Sequence, residues 1–183
     1  MRREIAEYMG LLYKRGLTSS LSGNVSARAA DVVYISPTKI PSFRVVRSDV
    51  SVVTMQGLHI AGRTPSTELP AHLEIYRATE CKAVIHVHSH YATALSCLGH
   101  DLEPPDVEGK HLLGRIPLIP YAPPGTHELG IAISRGIAAF SGVLLENHGQ
   151  IAVGADLEEA FIRAEAIEKA ARLVFDLKLF NHR

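Results

Sequence analysis

The stretch Ala83-Val84-Ile85-His86-Val87-His88-Ser89 is apolar and β-branched except for two histidines, two positions apart. Such a run favours a buried strand. On a strand, residues i and i+2 leave the same face, so any fold of this chain must set two imidazoles side by side. Each ring then needs a partner, because a buried polar group left unpaired is costly. Two hydrogen-bonded core histidines would meet that demand, and so would half of a tetrahedral metal site. Spacing alone leaves both open. A third histidine, His148, sits in Leu144-Leu145-Glu146-Asn147-His148-Gly149, where a turn at a strand end exposes a side chain to a cleft. A carboxylate, Glu68, follows Ser66-Thr67. Three imidazoles and one carboxylate suffice for a catalytic metal centre, and three protein nitrogens leave one position open for substrate. Zinc is the expected ion, since imidazole dominates the set and no redox partner is evident; manganese, cobalt and iron are also compatible. His90 continues the even series but falls where the strand ends, so it is read as a supporting or structural residue. His59, His72, His100, His111, His127 and His182 have no partner spacing and are read as surface or core.

The 183 residues fit one domain, taken as 1–183, and 46% hydrophobic content is enough to bury a core. Formal net charge is zero, so no basic stripe points to nucleic acid; the close pair Arg44 and Arg47 is read as a solvated edge. Two cysteines, Cys81 and Cys97, make neither a disulfide framework nor a cysteine zinc module. The charged start Met1-Arg2-Arg3-Glu4 is unlike a signal peptide, and no apolar run approaches a membrane span. A cytoplasmic setting with no membrane partner is expected.

Along the chain, Ile5, Met9 and Leu12 have helical spacing with Gly16 as a stop. Leu21 to Arg28 reads as a polar loop entering a strand, and Val32 to Ile35 as that strand. Val50–Met55 and Leu58–Ala61 flank Gln56-Gly57 as a hairpin. A helix is expected after Thr67 through Tyr76, a strand over 83–88, a helix from Ala92 to Leu98, and a loop from Asp101 to Asp106. Ile116–Tyr121 is a short strand; Thr126 caps a helix ending near Gly136. Val143–Leu145 and Ile151–Val153 are strands around the turn at His148, and Asp156 caps a terminal helix over Leu157–Leu179. The hairpin interrupts the strand–helix alternation, which argues against a doubly wound parallel sheet. One mixed or mainly antiparallel sheet with helices on both faces is expected.

Three segments suit an anion. Gly23-Asn24 combines close backbone approach with an amide donor. Ser36-Pro37-Thr38 puts a hydroxyl at a strand end, and Ser66-Thr67 lies at a helix start, where free N–H groups favour negative charge. Turns and helix caps use the same residues. Their coincidence upstream of the histidine motif is what suggests a phosphate pocket.

In order, Ser22-Gly23-Asn24-Val25-Ser26, Ile35-Ser36-Pro37-Thr38, Pro65-Ser66-Thr67-Glu68, His86-Val87-His88 and Asn147-His148-Gly149 resemble the class II aldolase/adducin family. Within it, the L-fuculose-1-phosphate aldolases are the most similar members, and the resemblance covers roughly 5 to 175. It implies a three-layer αβα domain, a homotetramer with active sites between subunits, and aldol cleavage of a ketose 1-phosphate. It also implies zinc on His86, His88 and His148, with Glu68 as acid/base and occasional fourth ligand. Gly23, Asn24, Thr38, Ser66 and Thr67 match the phosphate-binding positions. Lys39 replaces the glycine usual after the threonine, adding charge to that site or pointing outward. The family's aldehyde-side tyrosines lack obvious counterparts: Asp106 or a neighbour occupies the region of one, and the chain stops at Arg183 before the other. Within the family, a methylthioribulose-1-phosphate dehydratase would keep the glutamate, whereas a pentulose-phosphate 4-epimerase commonly has aspartate there. The adducin head, a binding module, would be expected to show a degraded ligand set.

Overall fold

The computed structural model describes residues 1–181. His182 therefore lies outside the described residues. The centre is an eight-stranded sheet in which β1 (Asn24–Ala29), β2 (Val32–Ile35), β3 (Ser51–Thr54), β4 (His59–Ala61), β5 (Ala83–Val87), β6 (Leu118–Ile119), β7 (Gly142–Leu145) and β8 (Gly149–Gly154) lie in the order β4-β3-β2-β1-β5-β8-β7-β6. Every pairing is antiparallel except β6 with β7. The expected mainly antiparallel sheet is thus the one found.

Strand alternation divides the core into two layers. On one face, Val25, Ala27, Ile85, Val87, Leu144 and Ala152 pack with apolar residues of α1 (Arg2–Lys14), α3 (His90–Cys97), α4 (Val107–Leu113) and α6 (Leu157–Asn181). On the other, Val33, Ile35, Val53, Val84, Val143, Ile151 and Val153 pack with α2 (Leu69–Ala78) and α5 (His127–Ile137). Helices cover both faces, so the central strands β5 and β8 are buried along their whole length. No helix among the described residues is long and apolar enough to cross a membrane.

Several boundaries differ from the sequence reading. The segment taken as a polar loop entering a strand holds β1, a central strand. Its polar members, Asn24 and Ser26, face α2 and are satisfied there, so hydrophilicity did not signal exposure. α3 begins at His90, because Glu168 takes up the free amides at its start: both its carboxylate oxygens accept, from the N–H of Tyr91 and of Ala92, each at 2.9 Å. The strand expected over 116–121 shrinks to two residues, and α4 follows the 101–106 loop unannounced. Asp106 caps α4 by accepting from the Gly109 amide and pairs with Lys169 at 3.6 Å. The expected caps Thr126 and Asp156 are in place, accepting from Leu129 N–H at 3.2 Å and Glu159 N–H at 2.8 Å.

Candidate active site

β1 and β5 pair with Asn24 opposite His86. His86 points to the α2 face, and His88, just past the strand end, points the same way. β7 and β8 meet in a turn in which Asn147 takes a left-handed φ of 58° and the His148 amide donates to Leu145 at 3.0 Å. That turn brings His148 beside the first two rings. The ring centroids form a near-equilateral triangle, 4.8 Å for His86–His88, 4.8 Å for His86–His148 and 4.7 Å for His88–His148.

Glu68 completes the cluster. It stands at the N-cap of α2 without capping it, so its carboxylate is free to turn toward the rings. Oε2 lies 3.1 Å from His86 Nε2, and Oε1 lies 3.3 Å from His148 Nε2. One ligand atom from each of Glu68, His86, His88 and His148 falls within 4.8 Å of all the others.

The hydrogen bonding tests whether a metal fits this donor set. His86 Nδ1 donates to the Gln150 carbonyl at 2.9 Å, so the neutral ring turns an Nε2 lone pair toward the cluster. That lone pair faces a carboxylate oxygen and, 2.9 Å away, the Nε2 of His88. Electron-rich atoms so close repel unless a cation lies among them. Burial pushes the titration of His86 down, and pushes His88 down to about 3, so protons are poor candidates for that cation. Four N and O donors that converge in this way fit a divalent metal of the zinc type.

Burial alone would raise the Glu68 carboxyl, but His86, His148 and His72 together outweigh it and hold it well below the ordinary carboxylate range.

Beside the cluster, Gly23, Asn24, Thr38, Lys39, Ser66 and Thr67 line one cavity of about 110 Å³ that also touches Glu68 and His88. Two loops are zipped together to form its wall: Thr38 N–H donates to Thr64 at 3.0 Å and Ser66 N–H to Ser36 at 3.1 Å. Gly23 has φ 76°, and a Cβ there would stand 2.8 Å from the His86 carbonyl. Only glycine permits that turn so close to β5. Lys39 also takes a left-handed φ, 60°, at an exposed position. All ten residues singled out from the sequence thus meet in one region. His90 does not join them; its ring packs edge-on to Tyr91 at 5.1 Å.

Sequence reasoning missed two supports. Gln150 offers its backbone carbonyl to His86 and its amide to Ser89 Oγ at 2.7 Å, bracing both sides of His88. His72, grouped with the unpartnered histidines, is fully buried and bonded to Asn24 and Ser26. Its place four residues after Glu68, on the same helix face, was the only available clue.

Known proteins resemble this chain over most of its length. L-fuculose phosphate aldolase of Methanococcus maripaludis is 36% identical over 164 residues, covering 89% of each chain. 3-Oxo-tetronate 4-phosphate decarboxylase of Haemophilus influenzae is 36% identical over 173 residues, covering 91% of this chain and 82% of its own. The solved structure of an L-fuculose 1-phosphate aldolase superposes with a TM-score of 0.93 at 31% identity, covering 98% of this chain and 86% of that one. The family model for the class II aldolase and adducin N-terminal domain matches residues 3–175. With that match over nearly the whole chain, the protein belongs to the class II aldolase and adducin family and is an enzyme of the lyase type.

Proposed function

We propose that the protein is a zinc-dependent aldolase that cleaves a ketose 1-phosphate of the L-fuculose 1-phosphate type into dihydroxyacetone phosphate and a short aldehyde. The observation that carries this reading is the meeting of Glu68 and three imidazoles at the edge of a cavity lined by hydroxyl and amide groups together with Lys39. His86, His88 and His148 would hold the zinc, with Glu68 as a fourth ligand in the absence of substrate. When bound, the ion supplies Lewis-acid polarisation of the substrate carbonyl.

The chain's own groups do the rest. Asn24, Thr38, Ser66 and Thr67 would seat the phosphate, with Gly23 allowing close backbone approach and Lys39 adding a positive charge at the rim. Glu68 would move a proton at the carbon beside the carbonyl. In synthesis it removes that proton, and in cleavage it returns it. A raised titration point would be the simplest expectation for such a group. The imidazoles around Glu68 act in the opposite direction, toward the carboxylate form that a base requires. By family resemblance the enzyme would be a cytoplasmic homotetramer, one catalytic domain per chain, with its sites at subunit interfaces.

A second reading has a specific observation behind it, the decarboxylase relative at the same identity as the aldolase. Both reactions break a bond to the carbon beside a ketone and leave the same three-carbon phosphate to be protonated. Dehydratase and epimerase chemistry would use the same centre with a different outcome. The test is incubation of the zinc-loaded protein with a panel of ketose 1-phosphates and with 3-oxo-tetronate 4-phosphate. Triose phosphate is followed by coupled reduction, and aldehyde and carbon dioxide are measured separately. Aldehyde with triose phosphate supports the aldolase; carbon dioxide in its place selects the decarboxylase; neither product rejects both. Glu68→Gln should retain metal and lose most turnover, and near-normal rates would remove Glu68 as the base. His148→Ala should lose metal by elemental analysis.

A further inference from the structure

The buried face of α2 carries more than Glu68. Glu68, His72 and Tyr76 are four residues apart, so they form one stripe toward the sheet. His72 is 0% exposed and Tyr76 1%. Their polar partners lie on β1, on the face it shares with His86. His72 Nε2 is 2.5 Å from Asn24 Oδ1, His72 Nδ1 is 2.6 Å from Ser26 Oγ, and Ser26 Oγ is 2.7 Å from Tyr76 Oη.

The chemistry of each atom gives this chain one direction. An amide oxygen only accepts, so His72 carries its hydrogen on Nε2. The ring is fully buried and both its partners, an amide oxygen and a hydroxyl, are uncharged, so it is neutral and Nδ1 holds a lone pair. Ser26 must then donate to Nδ1, and its oxygen accepts from Tyr76, whose phenol burial keeps protonated. The relay ends on the Asn24 oxygen. What remains of that amide is its NH₂ group, and Asn24 lines the cavity with Thr38, Ser66 and Thr67. An amide turned the other way would present an acceptor to an incoming anion and repel it.

We propose that His72, held by Ser26 and Tyr76, is a positioning residue that locks the Asn24 amide with its N–H groups toward the cavity, so that the site selects a phosphate monoester over a neutral hydroxyl. The identity of the substrate rests on the aldolase reading; the preference for an anion is a property of the cavity. A histidine that merely filled the core would affect stability and leave anion binding alone.

The experiment titrates inorganic phosphate calorimetrically into the full chain, with and without zinc, so that phosphate held by the metal is recognised. His72→Phe should weaken phosphate binding by about 10-fold, the scale of losing a buried hydrogen-bond partner. KM for a ketose 1-phosphate should rise by a similar factor, with the larger part of the loss in KM rather than kcat. His72→Gln, whose amide can donate to Asn24 and accept from Ser26, should restore most of the affinity. Parental phosphate binding in His72→Phe, or equal impairment in His72→Gln, overturns the proposal. If His72→Phe does not fold, Tyr76→Phe decides: it keeps the ring, removes the relay's first donor, and should weaken phosphate binding several-fold. Unchanged binding there overturns the proposal as well. A protein that binds phosphate in this His72-dependent way yet releases no triose phosphate leaves the relay standing and rejects the aldolase reading.

Discussion

Gly149 opens β8 against β5, which carries His86 and leads into His88, and the geometry of this centre can be tested there without touching a ligand. A Cβ at Gly149 would stand 2.5 Å from the Val87 carbonyl oxygen and 3.2 Å from both Cα and Cδ2 of His88. Carbon and carbonyl oxygen pack no closer than about 3.3 Å, so the strands would have to part by roughly 0.8 Å. Overpacking of that kind costs about 1–3 kcal/mol. In a chain of this size each kcal/mol moves Tm by about 2–4 °C, so metal-free Gly149→Ala should melt about 2–12 °C below the parent. The same displacement carries His88 off the three-ring junction, and misplaced support of a ligand weakens metal binding about 10–100-fold. Thermal unfolding of the stripped protein measures the first effect, and chelator competition for zinc measures the second. Gly10→Ala is the control: no heavy atom lies within 4 Å of its Cβ position, so in α1 it should gain about 0.5–1 kcal/mol. If Gly149→Ala melts with the parent and competes equally for zinc, the β5–β8 contact does not set His88, and the argument fails.

Lys39→Gly relieves a left-handed backbone and should stabilise the fold by about 1 kcal/mol in denaturant titrations, while KM for a phosphorylated ketose rises. An unchanged KM would place the lysine charge outside the phosphate site. Glu168→Ala removes both acceptors at the start of α3 and should cost about 1–2 kcal/mol by the same titration. A neutral result would mean that solvent caps that helix equally well. At Asp101, burial acts to raise the carboxyl, but the Leu118 amide at 2.7 Å and the Arg115 guanidinium outweigh it and hold it below its ordinary value. The folded-state value is thus below the unfolded one, so the stabilisation is present above about pH 4 and is lost as pH falls through the folded value. Asp101→Asn should therefore be less stable than the parent at pH 7, with the gap closing as pH falls through the lowered folded-state value; a gap independent of pH would show that the charge is not responsible.

Much of this molecule is local enough to be read along the chain. Alternation in 83–88 demanded two imidazoles on one face, the Gln56-Gly57 turn gave the hairpin, and Thr126 and Asp156 marked helix starts, because period and capping act over a few residues. The ligand candidates were also legible, since strand ends and helix starts are where side chains reach a cleft. The burial of Asn24, Ser26 and His72 was not. Their polarity reads as exposure until the β1–β5 register sets Asn24 across from His86 and α2 lies over both. Only the tertiary structure could decide that these groups satisfy one another in the interior. It also joined His148 to a pair of histidines some 60 residues earlier, because sheet order depends on which apolar faces can be buried together and not on neighbouring residues.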